Sequence, residues 1–205
     1  MAKQYRVLRK VASVPFVAGS FATLDLPRDY DYESIFMRIN GSVTVSSPYT
    51  AVRAEAPTQL VQRAEVIADG KNNIFSAPFW FASNANYGRD LLQNGARVLT
   101  GPSAATNATY ALEGIGAIDL MTQDSVRPKD SNFRSSGLSL FQLRLTFGQT
   151  GDLFTGSGAS APSGTIYVDV FVQQLVEIAD ANGAVTTPIA LKKVSFQEIA
   201  KIGRA

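Results

Sequence analysis

Three carboxylates stand at every second position, Asp29, Asp31 and Glu33, with Tyr30 and Tyr32 between them and Pro27 just before. Acids spaced this way can ligate a hard cation such as calcium. The EF-hand loop, however, also requires a glycine and a distal glutamate at set positions, which are not found here. A solvated acidic loop is the expected reading. Glycoside hydrolysis needs two carboxyl groups about 5 to 9 Å apart in space, and no linear pattern supplies that. Histidine and cysteine are both absent from the 205 residues. Their absence removes the Ser-His-Asp triad, the thiol nucleophile, histidine-ligated metal sites and disulfides together. No catalytic, metal-binding or cofactor-binding residue is assigned, and the chain reads as non-enzymatic.

Phe75, Phe79, Trp80 and Phe81 form an aromatic cluster, with Tyr87 nearby. Such rings can stack on sugars or bases, but at alternating strand spacing they more often fill a core and an interface, which is the reading adopted here. From Gly148 to Gly164 the chain is rich in small residues, including Gly151, Gly156 and Gly158. These glycines lack phosphate-loop spacing and its lysine, so an exposed, mobile loop is expected.

The elements that would position these residues are strands. Phe141, Leu143, Leu145 and Phe147 alternate with Gln142, Arg144 and Thr146, and Ile166, Val168, Val170 and Val172 repeat the pattern. Period-2 alternation of this kind marks half-buried strands. Ala22, Leu24 and Leu26 share a face until Pro27 ends the run. Ile35, Met37 and Ile39 precede Asn40-Gly41, a bend or hairpin signal, before Val43 and Val45 resume the pattern. Leu60 to Ile67 and Ile74 to Phe81 flank Asp69-Gly70 as a hairpin, with Pro78 at a bulge or edge because it cannot donate to a ladder. A weaker strand spans Ile115 to Met121. Roughly eight strands in one chain of this length point to an all-β single jelly roll, a two-sheet antiparallel barrel or sandwich. At the end, Ser195 and Glu198 match a capping box, Phe196, Ile199 and Ala200 share a helical face, and Gly203 can close it. A short C-terminal amphipathic helix is expected there.

Composition agrees with one folded unit: 45% of residues are hydrophobic and 18% charged, too apolar for disorder. No apolar run approaches the roughly 18 residues of a spanning helix. Lys3, Arg6, Arg9 and Lys10 precede a mildly apolar stretch in the order of a signal peptide, but Pro15, Gly19 and two serines interrupt it. The net charge of +2 is unevenly spread. The first ten and last fourteen residues together carry +7, and the remainder carries −5. Basic ends on an acidic body suit contact with an anionic surface or a neighbour, or two solvated tails. They lack interleaved aromatics and any known base-reading pattern, so sequence-specific nucleic-acid binding is not expected.

The order of these features carries a resemblance. A basic arm is followed by Phe21-Ala22-Thr23-Leu24-Asp25-Leu26-Pro27-Arg28, the strands around Ile35 to Val45, the run from Leu60 through Asp69-Gly70-Lys71, and two strong late strands. This order, over most of residues 21–178, resembles the capsid proteins of tailless icosahedral phages and viruses with an internal membrane, which are single or double upright jelly rolls. The resemblance implies a virion shell protein with a basic arm over residues 1–20, a jelly roll over 21–190 and a basic amphipathic arm over 191–205. It implies assembly with copies of itself, as pentamers, hexamers or pseudo-hexamers, and with other capsid proteins. The basic termini would clasp neighbours or face an internal membrane or genome through Lys3, Arg6, Arg9, Lys10, Lys192, Lys193, Phe196, Ile199, Lys201 and Arg204. The Gly148 to Gly164 loop would be an exposed tower or adapter. The rival expectation is a carbohydrate-binding or receptor-binding jelly-roll module, which would display its aromatic rings in a concave groove.

Overall fold

The computed structural model describes residues 3–54, 56–90, 99–100, 102, 108–121, 132–156, 158, 160–178 and 194–195. In chain order the elements are β1 (Lys3–Pro15), β2 (Phe21–Asp25), β3 (Asp31–Val45), β4 (Ala51–Val52), β5 (Val61–Ala68), β6 (Asn72–Ala77), α1 (Phe79–Asp90), β7 (Leu99–Thr100), β8 (Ala108–Asp119), β9 (Phe141–Phe147), β10 (Phe154–Thr155), β11 (Ser163–Ile178) and β12 (Val194–Ser195). They form a first sheet, β1-β11-β3-β8-β7, a second sheet, β12-β6-β5-β9-β2, and a small β4-β10 ribbon. The long strands pair antiparallel from the middle of the chain outward: β5 with β6, β3 with β8, β2 with β9 and β1 with β11. That nesting is the jelly roll expected from the strand pattern.

Alternation sets the inner faces. Phe141, Leu143, Leu145 and Phe147 of β9 are each no more than 2% exposed, and Ile35, Met37 and Ile39 of β3 and Val168, Val170 and Val172 of β11 are fully buried. Each such side chain contributes about 1.5–3 kcal/mol by leaving water. Rings join across the interior: Phe141 meets Tyr32 edge-on at 5.0 Å and stacks with Phe133 at 5.2 Å between centroids. The Asp69-Gly70 turn forms as expected, with φ of +52° and +71°. Its Asp69 carboxylate accepts from the backbone N–H and hydroxyl of Ser139 at 2.7 and 2.8 Å, tying the turn to the approach to β9. Those two donors hold the Asp69 carboxyl below its ordinary range.

Four expectations are corrected. Asn40-Gly41 makes no hairpin, because β3 runs straight through it while pairing with both β11 and β8. Gly41 is instead needed for close approach: its φ is +142°, and a Cβ there would sit 2.2 Å from the Thr165 carbonyl oxygen. The strand expected over Ile74 to Phe81 stops at Ala77, and the Ser83 to Asn94 stretch, whose Ser, Asn and Gly content predicts a linker, begins inside α1. Pro78, unable to extend the ladder, accepts the first helical bonds from Phe81 and Ala82 on its carbonyl. Phe79, Ala82 and Ser83 are buried at i, i+3 and i+4 spacing, and Phe79 packs over Gly116 of β8, where a Cβ would stand 3.0 Å from its ring. Packing, not propensity, therefore decides that segment.

The Gly148 to Gly164 stretch is the fourth. It is anchored to the body at several points among its described residues, while Thr155, Gly156, Ser160 and Ala161 are exposed as expected. Leu153 and Phe154 are buried, Tyr49 stacks on Phe154 at 4.4 Å, and the Tyr49 hydroxyl donates to the Ser160 carbonyl at 2.9 Å. Two apolar anchors within a low-complexity run outweigh its glycines.

Candidate assembly surface

Residues 3–15, placed above in an N-terminal arm, are β1, the edge strand of the first sheet, paired with β11 from Lys3 to Pro15. A register shift between Lys10 and Ala12 changes which residues share a face. That bulge erases the alternation by which a sequence announces a strand.

The basic residues of this strand close on carboxylates of its neighbours. Arg6 Nε donates to Glu33 Oε1 at 2.9 Å, and Gln173 Nε2 donates to the other Glu33 oxygen at 2.6 Å. Glu33 is 1% exposed, so these donors hold a charge removed from water. Lys10 Nζ lies 2.7 Å from Asp169, which also accepts from the Ser13 hydroxyl and, at 2.5 Å, from Asn40 Nδ2. Burial opposes ionisation of Asp169, but Lys10, Ser13 and Asn40 outweigh it and hold the carboxyl below its ordinary range. Arg9 reaches Asp29 at 2.6 Å beside buried Tyr32, whose hydroxyl donates to the Pro27 carbonyl at 2.5 Å and is pushed far up in pKa by burial. The structure thus brings together two sets that the sequence kept apart. Asp29, Asp31 and Glu33 were expected in a solvated acidic loop, but Asp31 and Glu33 lie in β3 with Glu33 buried, Asp29 and Glu33 are counter-charges to Arg9 and Arg6, and among the described residues no three carboxylates gather as a metal site. Lys3 is placed by its backbone alone, opposite Ile178.

At the other end, Lys192, Lys193, Phe196, Ile199, Lys201 and Arg204 lie outside the described residues, as does the helix expected beyond Ser195. Val194 and Ser195 run parallel to Phe75 and Ser76 at the edge of the second sheet. The described parts of the two ends therefore border different sheets.

The outward positions of the first sheet carry an apolar band that no spacing rule singled out. Leu8 of β1, Phe171 of β11, Phe36 of β3 and Ile115 of β8, with Arg38 and Gln173, line a shallow depression of about 240 Å³. Leu8 is 62% and Ile115 40% exposed. Lys10 rests 5.9 Å from the Phe171 ring centre, and Arg38 pairs with Glu113 at 2.7 Å. The available signal was the rings at positions 36 and 171, which alternate with core residues where a half-buried strand normally turns polar groups outward. The aromatic cluster, by contrast, divides between core and surface. Phe75 and Phe79 are buried, and Trp80, 37% exposed, meets Phe81 edge-on at 6.2 Å.

No protein-family model and no curated protein matches the chain. Solved structures do. The chain is similar to the major capsid protein of STIV, with a TM-score of 0.61 at 16% identity over 83% of this chain and 48% of that one. It is also similar to a chain in the atomic structure of Sulfolobus turreted icosahedral virus, with a TM-score of 0.58 at 18% identity over 82% of this chain and 45% of that one. The chain spans about half the length of these structures, and within that span it has the jelly-roll fold found in a viral major capsid protein.

Proposed function

We propose that the protein is a structural capsid subunit, a component of the virion that assembles with copies of itself, as pentamers, hexamers or pseudo-hexamers, into an icosahedral shell. The observation that carries this reading is the structural similarity of the chain, with its nested eight-strand topology, to the STIV major capsid protein over 83% of the chain. Other capsid proteins are the natural further partners. Contact of the basic C-terminal segment with an internal membrane or genome belongs to the same reading and rests on charge alone.

Physically, such a subunit works by burying side surfaces against neighbours, and closed symmetry lets many modest contacts sum to a stable shell. The missing histidine and cysteine fit a role without nucleophilic catalysis. Electron microscopy of the purified full chain tests the proposal. Rings or closed shells are expected; isolated particles of single-subunit size at every concentration would overturn it.

A further inference from the structure

We infer that copies of this chain meet through the outer face of the first sheet, on the band formed by Leu8, Phe36, Ile115 and Phe171. The inference rests on the capsid-subunit reading and identifies which surface performs the assembly. Three observations select this face and a second copy as its occupant.

The first is apolar continuity. The four side chains come from β1, β3, β8 and β11, four adjacent strands, so they form one patch rather than scattered exposures.

The second is charge. The cations on this face already hold carboxylates of the same chain, as Arg6 with Glu33, Lys10 with Asp169 and Arg38 with Glu113. A face balanced in this way can be covered without stranding a charge, and it does not repel its own image. An anionic lipid surface or a nucleic acid would call for unpaired cations, and here they are neutralised from within.

The third is the state of the sheet edge. Among the described residues β1 has a partner on one side only, β11, but the shift after Lys10, the charges at Arg6, Arg9 and Lys10, and Pro15 are features that blunt an edge against strand addition. Among the described residues the face is open where the edge is guarded.

The test is sedimentation velocity over a concentration series, on the wild-type chain, the double variant Leu8→Lys/Ile115→Lys and the second-sheet control Arg63→Glu, at an exposed position of β5. Both substituted apolar residues are exposed, so circular dichroism and melting temperature should stay at wild-type values; single Leu8→Lys and Ile115→Lys variants replace the double if it melts early. The double variant should need at least about tenfold more protein to associate, while Arg63→Glu should behave as wild type. Unchanged association of the lysine variants beside an assembling wild type would overturn this face and leave the capsid reading standing. A wild type that stays monomeric would overturn both. A monomer that instead co-sediments with phosphatidylcholine/phosphatidylglycerol vesicles, and loses this with the lysine variants, would assign the face to lipid and equally overturn the inference.

Discussion

The two sheets bury their inner faces alike and differ on their outer ones. The second sheet turns mainly polar groups outward and pairs several of them locally: Gln142 donates to Asp25 at 2.7 Å, Asn73 to Glu65 at 3.2 Å, and the Arg144 guanidinium lies 4.6 Å from the centre of the exposed Phe21 ring. The first sheet turns Phe36, Phe171, Leu8 and Ile115 outward and spends its polar groups on cross-strand ion pairs around them. The core of both sheets is complete without that band, since Val168, Val170, Ile35 and Ile39 are already fully buried beneath it. The difference separates what the fold needs from what the proposed association would need.

Substitutions can break that separation, and the largest effects belong to the shared core. Leu143→Ala in the second sheet and Ile39→Ala in the first, both at fully buried positions, should each lower unfolding free energy by about 3–4 kcal/mol in urea titrations. Equal losses would show the inner faces to be equivalent.

Next is Gly41→Ala, which places a methyl group 2.2 Å from the Thr165 carbonyl where φ is +142°. A cost of about 2–3 kcal/mol is expected, read from the same titrations, because β3 and β11 must separate to admit it.

Smaller is Asp169→Asn, expected to cost about 1–2 kcal/mol at neutral pH, the value being limited by the half-exposure of Lys10. The sign with pH follows from the lowered folded-state pKa. The contribution is complete above the ordinary carboxylate range and disappears as pH falls through the folded value. Wild type should therefore lose stability on acidification below about pH 4, and the variant should lose less over the same interval.

Least of all, Leu8→Lys/Ile115→Lys should shift folding stability by no more than about 0.5 kcal/mol in thermal melts. A large loss would mean that the band belongs to the fold rather than to association.

The alternating strands were legible because their inner faces need apolar side chains at every second residue, as at Phe141 to Phe147. The Asp69-Gly70 turn was legible for a local reason as well, since positive φ restricts residue choice. β1 was not. Its pairing is held by ion pairs to Glu33 and Asp169, which lie 27 and 159 residues away in sequence, and its bulge breaks the period. α1 was hidden for another reason: Phe79, Ala82 and Ser83 carry a helical spacing that is short and overlaps the aromatic alternation. The expected assembly arms were placed by charge, and charge showed where cations are without showing that Arg6, Arg9 and Lys10 are answered within the chain. The apolar band was visible only as rings in the wrong register, at Phe36 and Phe171.

The absence of native cysteine makes one measurement direct. Ile115→Cys and Arg63→Cys each place a single thiol on the outer face of the first or the second sheet, and maleimide labelling can be timed in assembled and dissociated samples. The account predicts labelling at position 115 to slow by about tenfold or more on assembly while labelling at position 63 is unchanged. Equal labelling at position 115 in the two states would contradict it.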